Sequence, residues 1–317
     1  MKLGMLVSHL RMEEKALLAA ATRRGIAVER VFDRELYFDL ERPRFPEVDL
    51  VLDRSLVHSR AEYTLRLLQH WGIPTVNSFA TTTLCDNKFH TNIAFIEQGV
   101  PTLRTLIAYT RESALAAIEE LGYPVVLKPN TGSWGRLLAK VNSRSAAEAV
   151  LEHKAELGSF HHSIFYIQEY IEKPGRDIRA FVVGDRVVAA SYRNAEHWIT
   201  NTARGATSTH CPVTPEIEGL ALKAAGAVGG EVMGVDLIET KDGLKVIEIN
   251  VGAEFHGLMA TTDLDIAGEI VDYLVRKWER LQAGDRPVAP ATMLIDGVPH
   301  GAPGRATAAT PAPRALG

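Results

Sequence analysis

The stretch from Val232 to Gly257, VMGVDLIETKDGLKVIEINVGAEFHG, holds the residues whose spacing could do chemistry. Asp236, Glu248 and Asn250 are oxygen donors set among Val, Ile and Leu. The arms are apolar and β-branched and Lys241-Asp242-Gly243 carries a turn signal, so a hairpin is predicted. With Gly243 in the left-handed position of a three-residue loop, Asp236 falls opposite Glu248 and both point to one face. A two-residue Asp-Gly turn puts them on opposite faces and counts against that arrangement. Glu248 and Asn250 share a face because strand side chains alternate. Two carboxylates and an amide oxygen on one surface suit a hard cation such as Mg²⁺, with substrate phosphates completing its shell. The alternative is a half-exposed hairpin whose polar face is simply wet.

A second candidate lies upstream. A strand over Tyr123–Lys128 ends at Pro129 and is followed by Asn130-Thr131-Gly132-Ser133-Trp134-Gly135-Arg136, after which Leu137–Val141 resumes as a strand. A Walker-type loop feeds a helix and carries GK[ST]; this one returns as a hairpin and carries neither. Gly132 and Gly135 still let backbone amides approach a phosphate, and Lys128 supplies a point charge. Read alone, the loop is equally a flexible hairpin tip.

The elements that must position these residues follow from pattern. Up to residue 84, strands over Lys2–Ser8, Val28–Phe32, Val48–Leu52 and Ile73–Asn77 alternate with helices over Glu13–Arg24 and Ala61–Trp71. That argues a small parallel α/β unit of Rossmann-like kind. No GxGxxG follows the first strand, which argues against a dinucleotide site. Residues 85–165 carry helices over Asp86–Gln98, Ser113–Leu121 and Ser145–Glu156 around the glycine-rich hairpin. Residues 166–283 are mostly strands, at Ile164–Tyr170, Asp177–Val183 and Arg186–Arg193, then a helix over Pro215–Val228, the hairpin, and a helix over Ile266–Gln282. The Ala/Pro-rich stretch 284–317 has no periodicity and is predicted to be a disordered tail.

Composition narrows the class. The 317 residues are 46% hydrophobic and 23% charged, as in a soluble enzyme of two or three subdomains. A net charge of −4 without a Lys/Arg run gives no footprint for nucleic acid or a membrane surface. The two cysteines, Cys85 and Cys211, are far apart, forming neither a disulfide framework nor a zinc module, and point to a reducing, cytoplasmic compartment. His161-His162 and His210-Cys211 lack further ligands at zinc spacing and are predicted to be surface or loop residues.

The order of elements is itself specific. Asp86-Asn87-Lys88, VVLKP with its glycine hairpin, QEYI at 168–171, GRDIR at 175–179, DLIE and EIN succeed one another. In this the chain resembles an ATP-grasp ligase over residues 1–280, with a pre-ATP-grasp unit at its start. KPNTGSWGRLLAKV, FYIQEYIEKPGRDIR and HWITNTARG are similar to the amino-group-carrier ligases of lysine and arginine biosynthesis. A more distant cousin is the ligase that adds glutamate to a ribosomal protein tail.

The resemblance implies ATP between two lobes. Lys88 and Lys128 would meet the phosphates under a lid formed by Gly132, Ser133, Trp134, Gly135 and Arg136. Gln168, Glu169, Tyr170 and Ile171 would offer backbone groups to adenine, and Asp236, Glu248 and Asn250 would hold Mg²⁺. Arg193, Asn201 and Arg204 would meet the acyl phosphate or the substrate carboxylates. Asp177 and Arg179 would orient nucleotide or acceptor, or form only an ion pair. The loop Glu254, Phe255, His256, Gly257 and Leu258 would face the amino acid. In the resembled family it reads Phe-Lys-Asn-Thr (or Ser) for α-aminoadipate and Phe-Lys-Gly-Phe for glutamate. Gly257-Leu258 lacks the amide and hydroxyl of the first form, so glutamate is expected, although His256 replaces the usual lysine.

The implied reaction is ATP- and Mg²⁺-dependent joining of glutamate, or α-aminoadipate, to the C-terminal glutamate side chain of a small acidic carrier protein, through an acyl phosphate. Other outcomes are glutamylation of a ribosomal protein or peptide tail, and an ATP-binding regulatory protein without turnover. The family's habit implies a homodimer or homotetramer.

Overall fold

The computed structural model describes residues 1–132, 135–157 and 164–284. Ser133 and Trp134 of the expected lid, the His161-His162 pair and the tail beyond Gly284 lie outside the described residues.

The chain opens as β1 (Lys2–Val7), α1 (Met12–Arg23), β2 (Ala27–Phe32), β3 (Leu50–Arg54), α2 (His58–His70) and β4 (Thr75–Val76). The strands form a parallel sheet in the order β2-β1-β3-β4. Leu3, Met5 and Val7 are buried in one core and Leu6 in another with Leu65 of α2, so β1 is apolar on both sides, as a covered parallel strand must be. Ligand-bearing loops leave such a sheet at the carboxyl ends of its strands. Here Ser8 Oγ donates to Asp33 at 2.5 Å and accepts the Leu56 N–H at 3.0 Å, gathering those three strand ends.

Next comes α3 (Phe79–Asp86), which the sequence reading did not foresee because Thr81, Thr82 and Thr83 are poor helix formers. Ser78 Oγ starts it by accepting the Thr81 N–H at 3.1 Å. Asn87 Oδ1 accepts the Phe89 N–H at 3.0 Å and begins α4 (Lys88–Glu97), fixing Lys88 as its first residue.

The third group is β5 (Thr105–Ala108), α5 (Arg111–Leu121), β6 (Val125–Lys128), β7 (Ala139–Val141), α6 (Arg144–Leu157) and β8 (Phe165–Glu169). These strands make an antiparallel sheet in the order β5-β8-β6-β7. Val125, Leu127 and Ile167 pack against Ile118 of α5 and Leu151 of α6. By alternation, Val126, Lys128 and Gln168 face the other way.

They face a five-stranded antiparallel sheet in the order β11-β10-β9-β12-β13. It consists of β9 (Arg176–Val183), β10 (Arg186–Asn194), β11 (Thr207–Cys211), β12 (Val232–Thr240) and β13 (Gly243–Val251). Between β11 and β12, α7 (Pro215–Ala227) packs Ala221 and Ala224 on Ile178 and Val235. After β13 come the short α8 (His256–Met259) and α9 (Ile266–Gln282), whose Ile270 and Leu274 join the core with β1.

The hairpin corrects one expectation. Thr240 pairs with Gly243, so the turn is two residues, Lys241-Asp242, not three. That register alone would move Asp236 off Glu248. A bulge restores it: Leu237 pairs with Val246 but Asp236 with Glu248, leaving Ile247 extra.

Candidate active site

Cross-strand register builds a polar row across the large sheet. Ser191 pairs with Arg179, Arg179 with Asp236, and Asp236 with Glu248, so four adjacent strands each place one of these residues side by side. One step along, Arg193 pairs with Asp177 and with Ser208. Side chains directly opposite are near enough to bond, and the Arg193–Asp177 and Arg179–Asp236 pairs do. Arg193 Nε and Nη2 hold both Asp177 oxygens at 2.6 and 2.8 Å, and Nη2 reaches Asp236 Oδ2 at 3.1 Å. Arg179 Nε and Nη2 grip the two Asp236 oxygens, the second at 3.1 Å. Asp177 and Arg179 therefore each form ion pairs, but with partners across the sheet.

Asp177, Arg193 and Asp236 are all buried. Burial works against the Arg193 charge, but Asp236 and Asp177 outweigh it and raise its pKa above the ordinary value. Burial likewise pushes Asp236 up, and Arg179 and Arg193 more than reverse that, holding it below the ordinary carboxylate value.

Glu248 Oε1 accepts an ion pair from Lys88 Nζ at 3.0 Å, and the same ammonium donates to the Gly132 carbonyl at 2.7 Å. Asn250 has a buried Nδ2 with no hydrogen-bond partner. Among the described residues no group of three His, Cys, Asp or Glu side chains is arranged to hold a metal, so Asp236 and Glu248 need the amide to complete a set. The two carboxylates and Asn250 Oδ1 are oxygen donors that suit a hard cation, while the orphaned Nδ2 is a hydrogen-bond donor that an acceptor such as a phosphate oxygen would satisfy.

One cavity lies between the two antiparallel sheets. Lys88, Lys128, Gly132, Gly135, Arg136, Gln168, Glu169, Tyr170, Ile171 and Asp177 all line it. Lys128 Nζ donates to Gln168 Oε1 at 2.6 Å. Burial pushes the Lys128 ammonium down to about 8, with Lys88 and Lys173 adding to the effect and Glu248 opposing it. Glu169 N–H bonds the Arg104 carbonyl at 2.9 Å as the last residue of β8, and Tyr170 and Ile171 run on beyond the ladder. Val126, Leu103, Ile238 and Ile247 make the floor apolar. The sequence reading missed Lys173, whose Nζ donates to Thr200 Oγ1 at 2.7 Å, and Ile247, brought in by the bulge.

A second, more polar cavity shares Lys88, Gly132, Arg193, Asn201, Asp236 and Glu248 with the first. Glu254, His256 and Gly257 line it. Two expectations are corrected. Phe255 is fully buried and packs on Phe181 with ring centroids 5.5 Å apart, so it serves the core instead of the cavity. Arg204 is exposed and belongs to neither wall. Arg11, Ser208 and His58 are among the members that were missed. Ser208 sits on β11, whose Thr-Ser-Thr-His run has no apolar alternation to announce a strand. Cys211 and Cys85 are plain thiols, their pKa values raised by burial.

Comparison with known proteins shows the family. Residues 3–84 match the LysX preATP-grasp domain and residues 85–274 the RimK-like ATP-grasp domain. The chain is similar to an α-aminoadipate–LysW ligase of Saccharolobus solfataricus, 34% identical over 260 residues covering 81% of this chain and 94% of the relative. A glutamate–LysW ligase of Sulfolobus acidocaldarius is 30% identical over 285 residues, 88% of this chain and 100% of the relative. Among solved structures, a RimK-domain ATP-grasp protein of Sphaerobacter thermophilus superposes with a TM-score of 0.75 at 27% identity, covering 86% of this chain and 99% of its own.

Proposed function

The chain belongs to the RimK-like ATP-grasp ligases, and on that premise we propose that it joins the α-amino group of glutamate to the C-terminal glutamate side chain of a small acidic carrier protein. The observation that carries this reading is the shared wall. An apolar cavity with three lysines and a polar cavity with several cationic side chains meet at Lys88, Arg193, Asp236 and Glu248.

ATP would lie in the first cavity, its base over Ile238 and Ile247 and beside the backbone of Tyr170 and Ile171, its phosphates at Lys88 and Lys128. Asp236, Glu248 and Asn250 would hold Mg²⁺, which neutralises charge on the phosphoryl oxygens. The carrier carboxylate attacks the γ-phosphorus, and ADP leaves. Activation is needed because a carboxylate has only oxide as leaving group. The amine, having lost one proton, attacks the acyl carbon; phosphate departs and the nitrogen loses a second proton. Arg193, fixed by Asp177, and Asn201 stand on the shared wall where the tetrahedral oxyanion would form. No nucleophilic side chain is required, and catalysis rests on positioning and electrostatics.

Glutamate is favoured by Gly257. A Cβ there would fall 2.7 Å from Ser208 Oγ, so the asparagine that the resemblance links with α-aminoadipate would require that hydroxyl to turn away. The test is ADP release with Mg-ATP and carrier, adding glutamate or α-aminoadipate in turn, with intact-mass analysis of the carrier. A gain of one glutamyl residue supports the reading. A gain only with α-aminoadipate overturns the side-chain assignment, and no gain with either overturns the acceptor.

A further inference from the structure

We infer that Arg11 receives the distal carboxylate of the amino-acid substrate, and that Glu254 holds its place until the amino acid arrives. The inference rests on the reaction proposed above. Arg11 stands at the start of α1 and lines the polar cavity only, away from the wall shared with the nucleotide. The α-carboxylate, bonded to the same carbon as the attacking nitrogen, must stay near that shared wall. The distal carboxylate is the group free to reach further.

One edge of the guanidinium is fixed. Arg11 Nε and Nη2 bond the two Glu14 oxygens at 3.0 and 2.8 Å. Glu14 is fully buried and also accepts Arg54 Nε at 3.0 Å, while Arg54 Nη1 ties down the Ala253 carbonyl at 3.0 Å. Removing Glu14 from this arrangement would strand the buried Arg54 and the half-buried Arg11. The other edge is exchangeable. Arg11 Nη1 meets Glu254 Oε1 at 3.0 Å, and Glu254 is a third exposed with no other ion-pair partner among the described residues. Exchanging one carboxylate for another conserves charge at Arg11 and costs little. A neutral side chain such as that of glutamine has nothing with which to displace Glu254. Arg11 therefore selects for a dicarboxylic amino acid.

The experiment uses the full chain with Mg-ADP and measures binding of free glutamate and glutamine by calorimetry, followed by carrier-dependent kinetics. Wild type is expected to bind glutamate and to reject glutamine. Arg11→Met should weaken glutamate roughly thirtyfold, the loss typical of a charge-assisted hydrogen bond, and bring the two amino acids close together. KM for ATP and for the carrier should stay within about twofold. Because Arg11→Met leaves Glu14 with one partner fewer, Glu254→Gln provides a variant that buries no charge; it should tighten glutamate about threefold, as removal of an exposed competitor does. Unchanged glutamate binding in Arg11→Met, weaker binding in Glu254→Gln, or a rise in carrier KM alone would each overturn the inference. A wild type that binds glutamate but never modifies the carrier sinks the proposed reaction and leaves Arg11 supported. A wild type that binds neither amino acid sinks both.

Discussion

Gln168 Oε1 accepts a 2.6 Å hydrogen bond from Lys128 Nζ, so a side chain expected to contribute only backbone instead aims the cation of the nucleotide cavity. Both residues are buried on the face that β6 and β8 turn toward the large sheet. Gln168 Nε2 is held in turn by Thr105 Oγ1 at 3.0 Å, which fixes the amide with its oxygen toward the lysine.

Gln168→Leu should raise KM for ATP about tenfold and cost about 1–3 kcal/mol at pH 7, because a buried ammonium loses its acceptor. The control is Thr105→Val, which frees the amide without removing it and should have a smaller effect on both. Equal losses in the two variants would show that Gln168 matters through packing alone.

The pH dependence follows from the same contact. Lys128 titrates near 8, against 10.5 for an ordinary lysine. Between those values the unfolded chain binds the extra proton, so this group makes stability rise with pH across that window. ATP binding has the opposite preference, since phosphates favour the charged lysine. Binding at pH 8.5 should take up protons, seen as a heat that differs between buffers of unlike ionisation enthalpy, and KM for ATP should rise from pH 7 to 9. Proton release on binding at pH 8.5 would contradict the assignment.

Asp236→Asn should destabilise the fold by about 3 kcal/mol at pH 7, since Arg193 and Arg179 lose a buried anion. The folded Asp236 carboxyl lies below its ordinary 3.8, so its contribution is complete above that pH and fades as pH falls through the folded value. Urea unfolding should show a constant gap between wild type and variant from pH 7 to 5 that narrows in acid. A gap that stays constant to pH 3 would mean that the cost is steric and owes nothing to charge.

How far the sequence could be read depended on whether the signal was local. Alternating apolar residues announced β9, β10, β12 and β13, and with them the facing pair Asp236 and Glu248. The route to that pair was misjudged, because a bulge leaves no residue signature. Ile247 looks like any other apolar strand residue. Arg11 was invisible for a different reason: it joins Glu254 across 243 positions, and no local pattern encodes that contact. Phe255 was taken from a motif, and motif neighbours of a substrate contact can equally be anchors in the core.

The bulge has a measurable consequence. It lets consecutive residues, Ile247 and Glu248, both line the nucleotide cavity, where a regular strand would turn one away. Ile247→Ala should raise KM for ATP roughly three- to tenfold by removing apolar floor, while the Mg²⁺ dependence set by Glu248 stays as in wild type. A change in Mg²⁺ dependence as large as that in KM would mean that Ile247 supports Glu248 and does not contact the base.

Gly257 tests substrate choice. Gly257→Asn places a side chain against Ser208 Oγ, where a Cβ alone comes to 2.7 Å, and should cut kcat/KM for glutamate at least about tenfold. Adding Ser208→Gly removes that hydroxyl and should restore turnover, with α-aminoadipate gaining on glutamate. If the double variant stays as poor as the single one with both amino acids, contact with Ser208 is not what keeps this position a glycine.

Asn250 separates a binding role from a structural one. Its buried Nδ2 has no partner, whereas Asp236 and Glu248 are both held by cations. A buried, unsatisfied N–H donor lowers stability by about 1–3 kcal/mol, and one kept at that cost in a cavity wall is one that an acceptor oxygen of the ligand completes, with Oδ1 the atom offered to Mg²⁺. Asn250→Leu, of similar volume, should therefore leave the urea midpoint unchanged or higher, because it removes the orphan. The same substitution should raise the Mg²⁺ concentration for half-maximal ADP release at least about tenfold. Chelation with EDTA should abolish ADP release by wild type while leaving the fold intact, since Arg179, Arg193 and Lys88 already balance the two carboxylates. A variant that loses stability yet needs no more Mg²⁺ than wild type would make Asn250 a structural residue and remove it from the metal set.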